Sequence, residues 1–174
     1  PSTVNRQHPM LTITTATEFD FPIIRKIAYE TWPVTYGNIL SETQLNYMLG
    51  NFYSDATLQN NFKKKNHQFL LIADESGVLG FASYEHQYQQ NQVTRLHKLY
   101  VQPQAQGKGA GKQLLDEVER LAQEQQQKSV SLNVNKFNNA YTFYLKNGYE
   151  KIGEIDIPIG DGFLMEDFVM EKML

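Results

Sequence analysis

No cysteine occurs among the 174 residues, which excludes a disulfide framework, a thiolate metal site and a cysteine nucleophile. Basic residues are not in excess either: 16 Lys and Arg stand against 19 Asp and Glu, a formal charge of -3. A broad nucleic-acid footprint needs clustered Lys and Arg, and Lys63 to Lys65, the one basic run, reads as a solvated helix end. Apolar runs of membrane length are missing, and so is a signal-like start, so the expected setting is soluble and cytoplasmic, with neither membrane nor nucleic acid as partner. Linkers, repeats and low-complexity tracts are missing as well. What is there, 41% apolar and 12% aromatic residues, suffices for one core. The expected organisation is a polar, poorly ordered segment over 1–10 and a single domain over 11–174.

Within that domain, one stretch organises the rest. Leu96 to Val101 is an extended apolar run, Pro103 marks a turn, and Gly107, Gly109 and Gly111 alternate before an amphipathic segment. Strand, loop and helix follow in that order. Glycines let a ligand approach the backbone, and the unpaired N–H groups at a helix start are partly positive, so this corner suits a phosphate. It fits neither the G-x-G-x-x-G dinucleotide pattern nor the G-x-x-x-x-G-K-S/T nucleotide loop.

Periodicity supplies the other elements. Leu11 to Thr15 alternates as a first strand. Asp20 and Pro22 open a helix with Ile23, Ile24, Ile27 and Ala28 on one face, running toward Trp32. Ser41-Glu42-Thr43-Gln44 reads as a capping box for a second helix, and Asp55 to Lys65 as a third. The aromatic segment Tyr29 to Gly37 reads as their connection. Strands are expected over Gln68–Asp74, Val78–Tyr88, Val93–Val101, Ser129–Val134, Tyr149–Ile157 and a last segment ending near Leu174. Leu114, Leu115, Val118, Leu121 and Ala122 form the buried face of the helix after the glycines. Another helix spans Asn139 to Lys146.

Gln106-Gly107-Lys108-Gly109-Ala110-Gly111 resembles the Arg/Gln-x-x-Gly-x-Gly/Ala signature of GCN5-related N-acetyltransferases. Leu132 to Tyr149, with Asn138, Ala140, Tyr144, Lys146 and Gly148, resembles the segment in which that family's splayed strand leads into a helix. The likeness covers about the last hundred residues well and the first sixty in layout alone. It implies an α/β (α+β) acyl-CoA N-acyltransferase fold: a mixed, mostly antiparallel sheet of six to seven strands with helices on both faces.

The resemblance also implies roles. Acetyl-CoA is the co-substrate, with no metal. Leu99, Tyr100 and Val101 would pair through the main chain with its pantetheine arm, while amides from Gly107 through Gly109 and Ala110 to Gly111 hold the pyrophosphate, supported by Gln106, Lys108 and Lys112. The two lysines also read as plain exposed charges. Asn138 or its neighbour Asn139 would contact the pantetheine. Tyr144 takes the position of the acid that protonates the leaving sulfur, a phenol of pKa ~10 being matched to a thiolate. For the base the chain departs from the common pattern, with Arg95 where many relatives carry a glutamate. His97 is the first candidate, and Glu85 acting through water the second. Strand alternation places Arg95, His97, Leu99 and Val101 on one face.

Trp32, Tyr36 and Glu30 are candidate acceptor contacts, the two rings reading equally well as core. An enzyme acetylating a primary amine of a small molecule, a polyamine among the candidates, is the first expectation. The alternatives are acetylation of a protein N-terminus or lysine, and a non-catalytic acyl-CoA sensor module. A homodimer is compatible with each, the aromatic segment Phe163 to Met173 being open to core or interface roles.

Overall fold

The computed structural model describes residues 10–174; the loose start expected over 1–10 lies, except for Met10, outside the described residues. One seven-stranded sheet in the order β1-β2-β3-β4-β5-β7-β6 carries the fold. The strands are β1 (Thr12–Thr15), β2 (Gln68–Asp74), β3 (Gly77–Glu85), β4 (Val93–Val101), β5 (Ser129–Asn135), β6 (Glu150–Gly160) and β7 (Phe163–Met173). Every pairing is antiparallel but one: β4 and β5 run parallel. The α/β class, the mixed sheet and the helices on both faces agree with the sequence reading.

Two apolar cores fill the two faces. On one face α4 (Ala110–Glu124) buries Leu114, Leu115, Val118 and Ala122 against Leu96, Val101 and Leu132. Each such aliphatic side chain contributes roughly 1.5–3 kcal/mol when taken from water. On the other, α1 (Phe21–Tyr36), α2 (Glu42–Phe52) and α3 (Asp55–Lys63) cover Phe69, Leu71 and Phe81. A short helix, α5 (Ala140–Lys146), follows β5.

Local chemistry departs from expectation in places. Helix α1 continues through Pro33 to Tyr36, so the segment expected to be a connection is largely helical. Pro33 lies in the last turn, where its missing N–H leaves a single carbonyl unpaired, and the Gly37 amide closes the end on Pro33 O at 3.0 Å. Asp20 makes no side-chain cap to α1; its carboxylate instead accepts from the Thr17 amide at 2.7 Å. Ser41 does cap α2 through the Gln44 amide at 3.1 Å, but the Gln44 side chain turns away to Leu164 O at 2.8 Å. Only half of the capping box is therefore made. Strand β3 stops at Glu85 rather than Tyr88, because Gln87 and Gln89 take left-handed conformations. No helix among the described residues is long and apolar enough to cross a membrane.

Candidate acyl-transfer site

Strands β4 and β5 pair only from Val93–Leu96 to Ser129–Leu132. Beyond Leu96 they diverge, and two cavities open on either side of the gap. The larger, about 880 Å³, runs along Leu99, Tyr100 and Val101 to the glycine corner. The smaller, about 350 Å³, lies under α1, α2 and the β6–β7 hairpin. Leu99, Tyr100, Asn138 and Ala140 border both. The two cavities therefore adjoin at these four residues.

The glycine corner is built for an anion. Gly107 and Gly109 have φ of +84° and +80°, with open space where a Cβ would stand. A side chain at either position would be strained. Gly109 precedes α4, and the first intrahelical bond runs from Gln113 N to Gly109 O at 3.0 Å. The amides of the first turn, Ala110, Gly111 and Lys112, are thus without helical partners. Gln106, Gly107, Gly109, Ala110, Gly111, Lys112 and Asn139 all line this cleft. Lys108 does not; its ammonium lies 3.7 Å from Asp74. Lys112 Nζ is likewise occupied, 2.7 Å from Asp116. Residues the sequence reading missed complete the wall: Val34, Thr35, Asn38 and Ile39 from the end of α1, with Phe137 and Phe143 opposite. Val34 and Phe137 are each 65% exposed, apolar groups at the rim.

A cluster of hydroxyls sits at the junction. The Tyr36 and Tyr100 hydroxyls are 3.1 Å apart, and Asn138 borders the same cavity. Asn138 also caps α5, its Oδ1 accepting from the Ala140 amide at 2.9 Å. Tyr144 is buried but borders the smaller cavity, and its hydroxyl has no hydrogen-bond partner among the described residues. Burial raises its pKa beyond the ordinary phenol value, so the proton stays on oxygen.

The strand alternation expected for β4 fails at one residue. Tyr84 pairs with Leu96 and Ser83 with Lys98, leaving His97 as the extra residue of a β-bulge. The bulge reverses the face of everything after it. Leu96, Leu99 and Val101 pack toward α4, while Arg95, His97, Lys98 and Tyr100 border the smaller cavity. Arg95 and His97 therefore do not share a face with Leu99 and Val101.

That bulge gathers charge. Glu85 Oε2 lies 2.9 Å from Nε2 of both His67 and His97, whose rings stack 3.9 Å apart. Burial first, then each other's proximity and Lys98, Arg95 and Lys65, push His97 down to about 2; burial and the lysines push His67 down to about 4. Both imidazoles are neutral at physiological pH; the hydrogen bond to the carboxylate is from His97 Nε2, which leaves His97 Nδ1 as an acceptor. Burial pushes Glu85 up. Glu85 and the two histidines offer ligand atoms within 4.8 Å of one another, a composition suited to a divalent cation, but Lys65, Arg95 and Lys98 work against further positive charge there.

Arg95 donates to Ser131 Oγ at 3.2 Å and to Asn133 Oδ1. Asp167, 2% exposed, is pushed up to about 6 by burial. Of the acceptor contacts expected from sequence, Trp32 and Tyr36 line the smaller cavity. Glu30 lies elsewhere: it accepts from Gln102 Nε2 at 2.9 Å. Sequence reasoning missed Lys98 and Asp167; for Lys98 a signal exists, the adjacent polar pair His97-Lys98 between two leucines, which breaks strict alternation.

An acetyltransferase (GNAT) domain family model matches residues 39–169. The chain is 28% identical over 152 residues to a spermidine N(1)-acetyltransferase of Thermoplasma acidophilum, covering 84% of this chain and 90% of that protein. The crystal structure of PaiA N-acetyltransferase from Thermoplasma acidophilum, in complex with coenzyme A, superposes with a TM-score of 0.79 at 26% identity, covering 95% and 99% of the two chains. A GCN5-related N-acetyltransferase from Rhodopseudomonas palustris shares the fold, with a TM-score of 0.81 at 20% identity and coverage of 99% and 100%.

Proposed function

The chain belongs to the GNAT acetyltransferase family, and from that premise we propose that it moves the acetyl group of acetyl-CoA directly to the primary amine of a small molecule. The observation that carries this reading is the junction. A long cleft with a glycine corner and a compact cavity adjoin where β4 and β5 part, with Tyr144 lining the compact cavity. The cavity's volume of about 350 Å³ falls at the lower end of small-molecule sites, which favours a small acceptor over a protein tail.

Acetyl-CoA supplies the activated acetyl group as a thioester. The amides from Gly107 to Lys112 hold its pyrophosphate without needing the Lys108 or Lys112 ammonium groups, both already paired. Leu99, Tyr100 and Val101, released from β5, offer free main-chain groups to the pantetheine arm as a neighbouring strand would. Asn138 and Asn139 line the same arm's path. Tyr144 donates its Oη proton to the leaving sulfur.

His97 Nδ1 accepts a hydrogen bond from the attacking amine, and Glu85, bonded to Nε2, offsets the positive charge the amine nitrogen gains on attack, before its proton leaves to solvent. An alkyl ammonium of pKa ~10.4 is mostly protonated at pH 7. His97, held down to about 2, is too weak a base to change that fraction alone. The rate should therefore rise with pH toward the amine's own pKa, with no inflection near 6.5. Incubation with acetyl-CoA and a panel of amines, followed by thiol release and acetylated product, tests the reading. Coenzyme binding without turnover on any amine would favour the sensor alternative.

A further inference from the structure

We propose that the acceptor carries a carboxylate beside its reactive amine, and that Lys98, assisted by Arg95, is the counter-charge that selects it. This rests on the acetyl-transfer reading above and names its substrate class.

The charged side chains lining the smaller cavity are Lys65, Arg95, Lys98 and Asp167: three cations against one carboxylate. None of the three cations has a carboxylate within 4.0 Å among the described residues, and residues 1–9 contain neither Asp nor Glu. Lys98 is the sharpest case. The bulge at His97 turns it inward, its Nζ lies 5.7 Å from the Tyr53 ring centre, and it makes no hydrogen bond to any described residue. Three donors face the cavity unspent. Burial pushes the ammonium down to about 8, which leaves it charged at neutral pH. Arg95 spends donors only on neutral oxygens of Ser131 and Asn133, with Tyr88 5.1 Å beneath its guanidinium.

A half-buried cation without a partner is costly and is normally paired. A ligand that brings an anion removes that cost on binding, and one that brings a second and third cation increases it. An amino-acid-like acceptor does the former and a polyamine the latter. His97, neutral between Lys98 and Glu85, adds no compensating negative charge.

The test uses matched pairs differing only in the carboxylate: lysine and cadaverine, histidine and histamine, tyrosine and tyramine, with spermidine as the polyamine arm. Turnover is read as kcat/KM by thiol release, and affinity by calorimetry on protein saturated with coenzyme A. At least one carboxylate-bearing member should exceed its partner, and spermidine, at least tenfold in both. Lys98→Met should collapse that ratio at least tenfold whatever happens to absolute rates, with Lys98→Arg restoring most of it; Lys98→Gln replaces Lys98→Met if that variant does not fold. Equal or better binding of the decarboxylated members or spermidine, no binding of any carboxylate-bearing member, or an unchanged ratio in the uncharged variant overturns the proposal. Selective binding of a carboxylate-bearing member with no thiol released would support the selection while sinking acetyl transfer.

Discussion

The two cavities that meet at Tyr100 are made of different material. The cleft proposed for the coenzyme is mostly main chain: two left-handed glycines, the first-turn amides of α4, and a stretch of β4 whose ladder partner has moved away. The cavity proposed for the acceptor is mostly side chain, with Lys98, Arg95, His97 and Asp167 facing Trp32 and Tyr36. Backbone shape is specified locally by where glycine stands, so grip on the coenzyme can be compact and portable. Side-chain character depends on which face each residue takes, so selection of the acceptor depends on register across several strands.

Three variants separate the two regions, beginning at the seam. Tyr144→Phe should lower kcat about 100-fold or more, the usual size of a general-acid contribution, with KM for acetyl-CoA unchanged. An unaltered kcat would remove the phenol from the mechanism. Gly109→Val forces a β-branched residue into φ +80°; at roughly 1–3 kcal/mol of strain, the coenzyme Kd should rise about 10- to 100-fold while the acceptor KM stays put. A parallel rise in both constants would show that the two cavities are not separable. On the acceptor side, Glu85→Gln leaves a hydrogen bond to His97 but no charge to balance it, so kcat should fall about tenfold with coenzyme affinity untouched. Loss of coenzyme binding in that variant would break the division from the other direction.

The smallest effect is on stability. Asp167 has a folded pKa of about 6, above its ordinary value of 3.8. A raised carboxyl stabilises the fold when protonated, and that contribution is lost as pH climbs through 6. Asp167→Asn should therefore gain stability over the parent at pH 7, on the order of 1 kcal/mol once the lost attraction to Arg95 is counted. Below about pH 4 the gain should vanish. Denaturant melts at the two pH values check the sign, and a gain equal at both would exclude this carboxyl as the cause.

The contrast also explains what the chain discloses unaided. Gly107, Gly109 and Gly111 announce the coenzyme corner because glycine spacing dictates local conformation. The parting of β4 and β5 follows from the second matching segment, Leu132 to Tyr149. Helix α4 is visible through Leu114, Leu115, Val118 and Ala122, whose spacing leaves one reading. Nothing comparable marks the continuation of α1 across Pro33, where local propensity argues for a stop and packing of Trp32 and Tyr36 against Tyr100 prevails. The bulge at His97 leaves only a slight trace: in Arg-Leu-His-Lys-Leu two polar residues stand side by side between leucines, a break in strict alternation that pairing with Ser83 and Tyr84 shows to be a slip. Glu30 misleads because a carboxylate near an aromatic pair invites an amine, while its carboxylate is engaged by Gln102.

That single inserted residue gives the fourth strand two parities. Before position 97 the odd-numbered side chains look into the substrate chamber; after it, the even-numbered ones do. Charge can therefore be added or reversed at Arg95 or Lys98 without touching the aliphatic underside formed by Leu96, Leu99 and Val101. Descendants of this chain are free to change what they modify while inheriting the same donor handle. Straightening the strand there with the extra residue kept would exchange the two sides, sending Lys98 into the grease beneath the long helix.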